Sequence, residues 1–131
     1  MATKIPSNVS KVAGTRRVVW TLANGDVGAP VEAPDHAFKE IQVKGTFGAG
    51  GSVSLEGSLD AGTADGALAD GSDRTWATLN DPQGNALTFT SARLERVQES
   101  TATIRPNVTA GDGTTALVVT VILKLDGPTA S

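Results

Sequence analysis

The stretch IRPNVTAGDGTTALVVTVIL, residues 104–123, begins polar and punctuated and ends as an almost unbroken apolar run. Its first part alternates, with Ile104, Pro106 and Val108 on one side, and closes in the strong turn Gly111-Asp112-Gly113-Thr114. From Thr115 to Leu125 nearly every residue is apolar. A strand with one face in water alternates with period two, whereas a strand apolar on both sides needs cover on both. Leu117, Val119, Val121, Leu123 and Leu125 are expected to fill a core. Ala116, Val118 and Ile122 emerge opposite, interrupted only by Thr120 and Lys124. The chain has too few elements for a third layer. A neighbouring subunit is the economical cover, and the alternative is the N-terminal segment or a loop folding back.

Outward from this strand the pattern is all β. TRRVVWTL alternates, with Val18, Trp20 and Leu22 on one side and Arg17, Val19 and Thr21 on the other. FKEIQVKGTF does the same with Ile41, Val43, Gly45 and Phe47 against Gln42, Lys44 and Thr46. SVSLEGSL sets Val53, Leu55, Gly57 and Leu59 against Ser52, Ser54, Glu56 and Ser58. Because GAGG joins these two segments, they are expected to form a hairpin. RTWATL and ALTFT form a second pair around the NDPQGN turn. SARLERVQES fits either one helical turn behind a Ser91 cap or a polar edge strand. Pro106 cannot donate to a ladder, which suggests an edge or a bulge for residues 101–110.

The expected fold is an antiparallel β-sandwich or jelly-roll-like domain of about 7–9 short strands over residues 15–125. Trp20, Trp76, Phe38, Phe47 and Phe89 are its natural large core residues. Residues 1–14 read as a flexible arm, residues 126–131 as a tail, and residues 24–37 as a long Pro-containing loop. The Gly/Ala/Asp-rich segment 60–73 reads as an exposed tip.

Composition narrows the function. One domain of 131 residues buries roughly 65–70% of its unfolded surface, enough for a core without staples. There is no cysteine, hence no disulfide, thiolate nucleophile or zinc knuckle. A net charge of −3, with only the Arg16-Arg17 pair concentrated, argues against a nucleic-acid surface. No apolar stretch nears the roughly 20 residues of a membrane span, and the first residues lack a signal-peptide core. Synthesis in a cytoplasm is expected. Asn8 and Asn107 head glycosylation patterns that match by chance without secretion.

Few residues suggest chemistry. His36 is the sole histidine and lies beside Asp35 in the Pro-containing loop, with no nucleophile placed for it. GTFGAGG lacks the lysine and following helix of a phosphate loop, so its glycines serve turns. Asp60, Asp65, Asp70 and Asp73 have neither EF-hand nor nonapeptide calcium spacing. No catalytic residue, cofactor or metal is expected, which leaves binding or assembly.

Three stretches, TFGAGGSVSLEGSLD, WATLNDPQGNALTF and IRPNVTAGDGTTALVVTV, resemble small β-rich virion proteins of tailed bacteriophages, of the head decoration or cement type. The resemblance covers about Phe38 to Lys124, and its motifs are turn and core signatures. The Ala/Asp-rich tip is longer than the family's turn there. The resemblance implies a homo-oligomer, dimer or trimer, made in a bacterial host and bound outside the major capsid protein lattice on the virion. It brings no membrane or nucleic-acid partner. Ala116, Val118 and Ile122, with Arg16 and Arg17, are the expected interface residues. A second similarity, in the DGS-x-x-W turn and the later IRP strand, is to discoidin-like carbohydrate-binding jelly rolls. Other virion roles, in a tail tube, tail completion or fibre, remain alternatives.

Overall fold

In a computed structural model of the chain, residues 3–4, 8–12, 15–32, 38–59, 75–99, 101 and 103–124 are described. They form two packed sheets and no helix. Seven strands are long: β2 (Asn8–Val12), β3 (Thr15–Ala23), β6 (Phe38–Thr46), β7 (Ser52–Ser58), β10 (Arg93–Val97), β11 (Thr103–Ala110) and β12 (Ala116–Lys124). Five are two-residue pieces: β1 (Thr3–Lys4), β4 (Val27–Gly28), β5 (Val31–Glu32), β8 (Ala77–Thr78) and β9 (Thr88–Phe89). One sheet runs β10-β6-β12-β3-β2. The other has β11 and β7 at its centre, flanked by β1, β4 and β5 on one side and by β8 and β9 on the other. All pairings are antiparallel except β1 with β4. This is the all-β sandwich expected from the alternating patterns.

The core lies between the sheets. Val18, Trp20 and Leu22 of β3, Ile41 and Val43 of β6, and Leu117, Val119, Val121 and Leu123 of β12 line one wall. Val53 and Leu55 of β7, Ile104 and Val108 of β11, Leu79, Leu87 and Phe89 line the other. Trp20 is wholly buried, and its indole N–H donates to the Ala29 carbonyl at 3.1 Å, so its one polar atom is satisfied. Lys39, on the inner face opposite Val97 and Leu123, is also buried, and burial lowers its ammonium pKa.

Several expectations need correcting. Residues 38–47 and 52–59 are not a hairpin, because β6 pairs with β10 and β12 while β7 pairs with β11, β8 and β9. The glycine-rich link instead carries the chain from one sheet to the other. Gly48 has φ +78°, and a Cβ there would collide with the Asp112 carboxylate. Alternation reports which face is buried but not which strand is adjacent, hence the error. The segment read as a loop at 24–37 supplies β4 and β5. From the arm, residues 3–4 pair with β4 and residues 8–12 with β3. The tip at 60–73, the tail, Asp35 and His36 lie outside the described residues.

Pro106 sits in a central strand, not at an edge, although the strand does carry an irregularity, a register shift against β7 between Val108 and Ala110. β7 pairs along one side of β11, while β4 and β5 pair with separate parts of its other side. Val108 N–H, directed toward that second side, donates to Asp26 O at 2.9 Å. The Pro106 nitrogen, two residues earlier, points the same way and meets the break between β4 and β5, where no donor is needed. Of the large residues, Trp20 and Phe89 are fully buried and Phe47 packs against the core. Phe38 and Trp76 are half-exposed, and Leu59 is 78% exposed.

Gly28 marks how tightly the sheets close around Pro106. A Cβ at this position would lie 2.5 Å from Pro106 Cδ and 2.8 Å from Trp20 Cδ1. Gly28→Ala is therefore expected to destabilise the domain by about 1–3 kcal/mol through overpacking. A urea titration would read this as a lower midpoint at unchanged slope, and an unaltered midpoint would contradict the close packing described.

Candidate interaction face

The outward face of the five-stranded sheet answers the question raised by β12. Register places Val118 between Thr21 and Lys44, Thr120 between Val19 and Gln42, and Ile122 between Arg17 and Glu40. Val19, Val118 and Ile122 are half-buried, and Thr120 is 9% exposed. By register, Arg17, Thr21, Glu40, Gln42 and Lys44 flank this stripe on the neighbouring strands of the same sheet. Among the described residues no third layer crosses this face. Leu94 of β10, next to Gln42, is 61% exposed. Together with Ile122, Thr120, Gln42 and Glu40 it borders a hollow of about 70 Å³.

The charge on this face differs from that of the whole chain. Arg17, Lys44, Arg96 and Lys124 project on this side, against the single carboxylate of Glu40 among the described side chains. Arg96 stacks over the Phe38 ring at 3.9 Å, with Lys124 Nζ 5.9 Å from the same ring and 4.0 Å from Glu40 Oε1. The face is thus apolar along its centre and basic around it, although the chain carries a net charge of −3.

Of the expected interface residues, Ala116, Val118, Ile122 and Arg17 share this face. Ala116 and Arg17 are exposed. Arg16 does not join them, because it stands opposite Leu123 with its side chain on the inner side. Lys44, Leu94 and the Phe38–Arg96 stack were not anticipated. The alternation that turns Gln42 and Lys44 away from the core was legible, but their adjacency to β12 required the strand order, and Phe38, expected in the core, stands on this face opposite Lys124.

The other sheet's outward face is polar. Glu56 accepts from Arg105 Nε at 2.8 Å and from Asn107 Nδ2 at 3.2 Å, and the Arg105 guanidinium stacks over Trp76 at 4.2 Å. At the β8 edge a cleft of about 580 Å³ is lined by residues including Ser58, Leu59, Thr78, Asn80, Glu99 and Thr101. Glu99 accepts from Asn80 N at 2.7 Å and Asn80 Nδ2 at 2.8 Å. Burial pushes its carboxyl upward, but these hydrogen bonds outweigh it and hold the pKa below the usual range.

The glycine-rich link is occupied by the chain's own carboxylate. Asp112 accepts from Ala49 N at 2.9 Å and from Thr114 N and Oγ1 at 2.8 and 2.6 Å. The Thr114 hydroxyl, then the Ala49 and Thr114 amides, lower the Asp112 pKa. Thr115 Oγ1 donates to Phe47 O at 2.8 Å, so two loops are stapled at one end of the sandwich. No cluster of three or more His, Cys, Asp or Glu suited to a metal occurs among the described residues.

No family model matches the chain, and no curated protein matches it. Among solved structures, the SPBc2 prophage-derived protein YomS is similar at TM-score 0.55 and 8% identity, over 89% of this chain and 98% of that one. A cupin domain from Bordetella pertussis Tohama I gives TM-score 0.46 and 13% identity over 94% of each chain. A protein with a double-stranded β-helix domain from Klebsiella pneumoniae subsp. pneumoniae MGH 78578 gives 0.47 and 10%, over 95% of this chain and 75% of that one. The likeness to YomS is one of fold.

The Glu99–Asn80 contact carries a pH signature. A carboxyl whose folded pKa is depressed stabilises the fold fully above its unfolded value, about 4.3, and loses that contribution as pH falls through the folded pKa. Glu99→Gln is expected to lower the melting temperature at neutral pH, with the difference from the parent shrinking as the medium is acidified below about pH 4. A difference that stays constant across that range in a scanning-calorimetry series would remove the carboxylate from the account.

Proposed function

We propose that the chain is a non-enzymatic structural protein of a phage virion, a decoration protein that binds the outside of the major capsid lattice and stabilises it. The observation that carries this reading is the outward face of the five-stranded sheet. Its apolar centre and basic surround form a continuous surface on rigid strands, suited to an acidic protein partner with an apolar patch. The resemblance of the central segments to head decoration proteins points the same way, and the fold shared with a prophage-derived protein accords with it. The action is mass action. A protein that binds only the assembled shell stabilises it by about 2.7 kcal/mol per site at one hundred times Kd, and a lattice repeats the site many times.

The decisive variant is Val118→Asp with Ile122→Asp. Both side chains are half-buried outside the core, so each change is expected to cost only about 1 kcal/mol and leave a folded chain. The parent is expected to rebind stripped, expanded capsids at saturable stoichiometry, and the double variant to lose that binding with an unchanged circular dichroism spectrum. Equal rebinding by both proteins would contradict the proposed face. Glycan-array binding competed by free sugar, without capsid binding, would favour a carbohydrate-binding module.

A further inference from the structure

We infer that β10 is a self-complementary edge through which two copies of this chain pair antiparallel across a two-fold axis at Leu94. β10 pairs with β6 over its whole length, from Arg93 with Val43 to Val97 with Lys39, and its other side has no strand beside it among the described residues. Ala92, Arg93, Leu94 and Arg96 are exposed. An open edge of this kind is a template for another strand, and proteins commonly block it with charged side chains, proline or a bulge. β10 has no bulge, and its charges are of opposite sign on either side of a leucine, in the order Arg93-Leu94-Glu95.

The charge order selects one register. In an antiparallel pair related by a two-fold axis normal to the sheet, faces are preserved, so the axis must pass through a residue that meets its own copy. With the axis at Leu94, Leu94 meets Leu94, Arg93 meets Glu95, Glu95 meets Arg93, and Arg96 meets Ala92. With the axis at Glu95 two carboxylates oppose, and at Arg93 or Arg96 two guanidinium groups oppose. Directly opposed like charges disfavour a pairing and opposite charges favour it. Only the Leu94 register unites opposite charges and places the exposed leucine against another.

The side chains are already set for this contact. Arg93 Nε lies 3.0 Å from Glu95 Oε2 of the same strand and the guanidinium sits 4.9 Å from the Phe89 ring, which holds the arginine in place. Its remaining N–H donors can serve the opposing glutamate. On the outward face, the two Leu94 side chains would join the hollows each borders with Ile122, extending one apolar stripe across both subunits. The contact is isologous and closes as a dimer. It goes beyond the capsid reading and stands or falls without it.

Sedimentation velocity over concentrations up to near-millimolar tests the inference, with Arg93→Glu and Glu95→Arg as variants. Each single variant carries two like charges at the paired positions, and each is expected to weaken dimerisation by about tenfold or more. An equimolar mixture of the two restores opposite charges at both positions, and native mass spectrometry is expected to show the heterodimer. The loss of the intrachain Arg93–Glu95 bridge in each variant cannot produce that rescue. A parent chain that stays monomeric throughout overturns the inference. So does a dimer that survives both substitutions, or a mixture that fails to pair.

Discussion

Everything in this fold depends on the register of β12 between β3 and β6. Nine residues of β12 pair on both sides, and Leu117, Val119, Val121 and Leu123 are completely buried between the sheets. A slip by one residue would exchange this set for Ala116, Val118, Thr120 and Ile122. Because the second set is itself largely apolar, β12 alone discriminates weakly between the two arrangements. Its neighbours decide. Val18, Trp20 and Leu22 alternate with Arg17, Val19 and Thr21, and Ile41 and Val43 alternate with Gln42 and Lys44, so only one face of each can be turned inward. The apolar outward set of β12 is thus more than the domain's own folding demands, and this is the physical ground for reading it as a surface for another molecule.

The acidic residues are used differently. Asp26 accepts the Ala23 amide, Asp81 accepts the Gln83 and Asn85 amides, Asp112 accepts those of Ala49 and Thr114, and Glu99 accepts that of Asn80. Carboxylates aimed at backbone N–H groups satisfy donors that turns leave open. In this way the chain fixes its turns with acids while its outward five-stranded face collects cations. The net charge of −3 therefore does not describe this face.

Much of the architecture was legible from period-two alternation, which identified the buried sides of β3, β6, β7 and β12. The turn at Asp81 was equally legible from Asp-Pro and Gly-Asn chemistry, since its hydrogen bonds are local. What alternation does not carry is the partner of each strand. The glycine-rich link between β6 and β7 looked like a hairpin because both arms alternate, yet the decisive contact is with Asp112, far along the chain. Pro106 pointed to an edge or a bulge; the strand has a register shift at Val108 to Ala110 but lies inside the sheet, because the proline's tolerance depends on a gap between two strands too short to show a pattern. The outward position of Val118 and Ile122 was legible because they break alternation, whereas Leu94 lay in a segment that fitted a helical turn equally well. The Glu56–Arg105–Trp76 cluster had no local signal, because β7–β11 pairing brings Arg105 to Glu56 and β7–β8 pairing brings the segment of Trp76 beside them.

The central claim is that the outward face of the five-stranded sheet becomes covered on an assembled particle. The chain has no cysteine, so a single thiol reports accessibility without background. Thr21→Cys places that thiol on the exposed face beside Val118, and Thr109→Cys places one at an exposed position on the other sheet. The rate of maleimide labelling, free and on capsids, is the direct measurement. The account predicts that the thiol at position 21 reacts in the free protein and is protected on the particle, while the one at 109 reacts in both. Equal labelling of position 21 in the two states would contradict it.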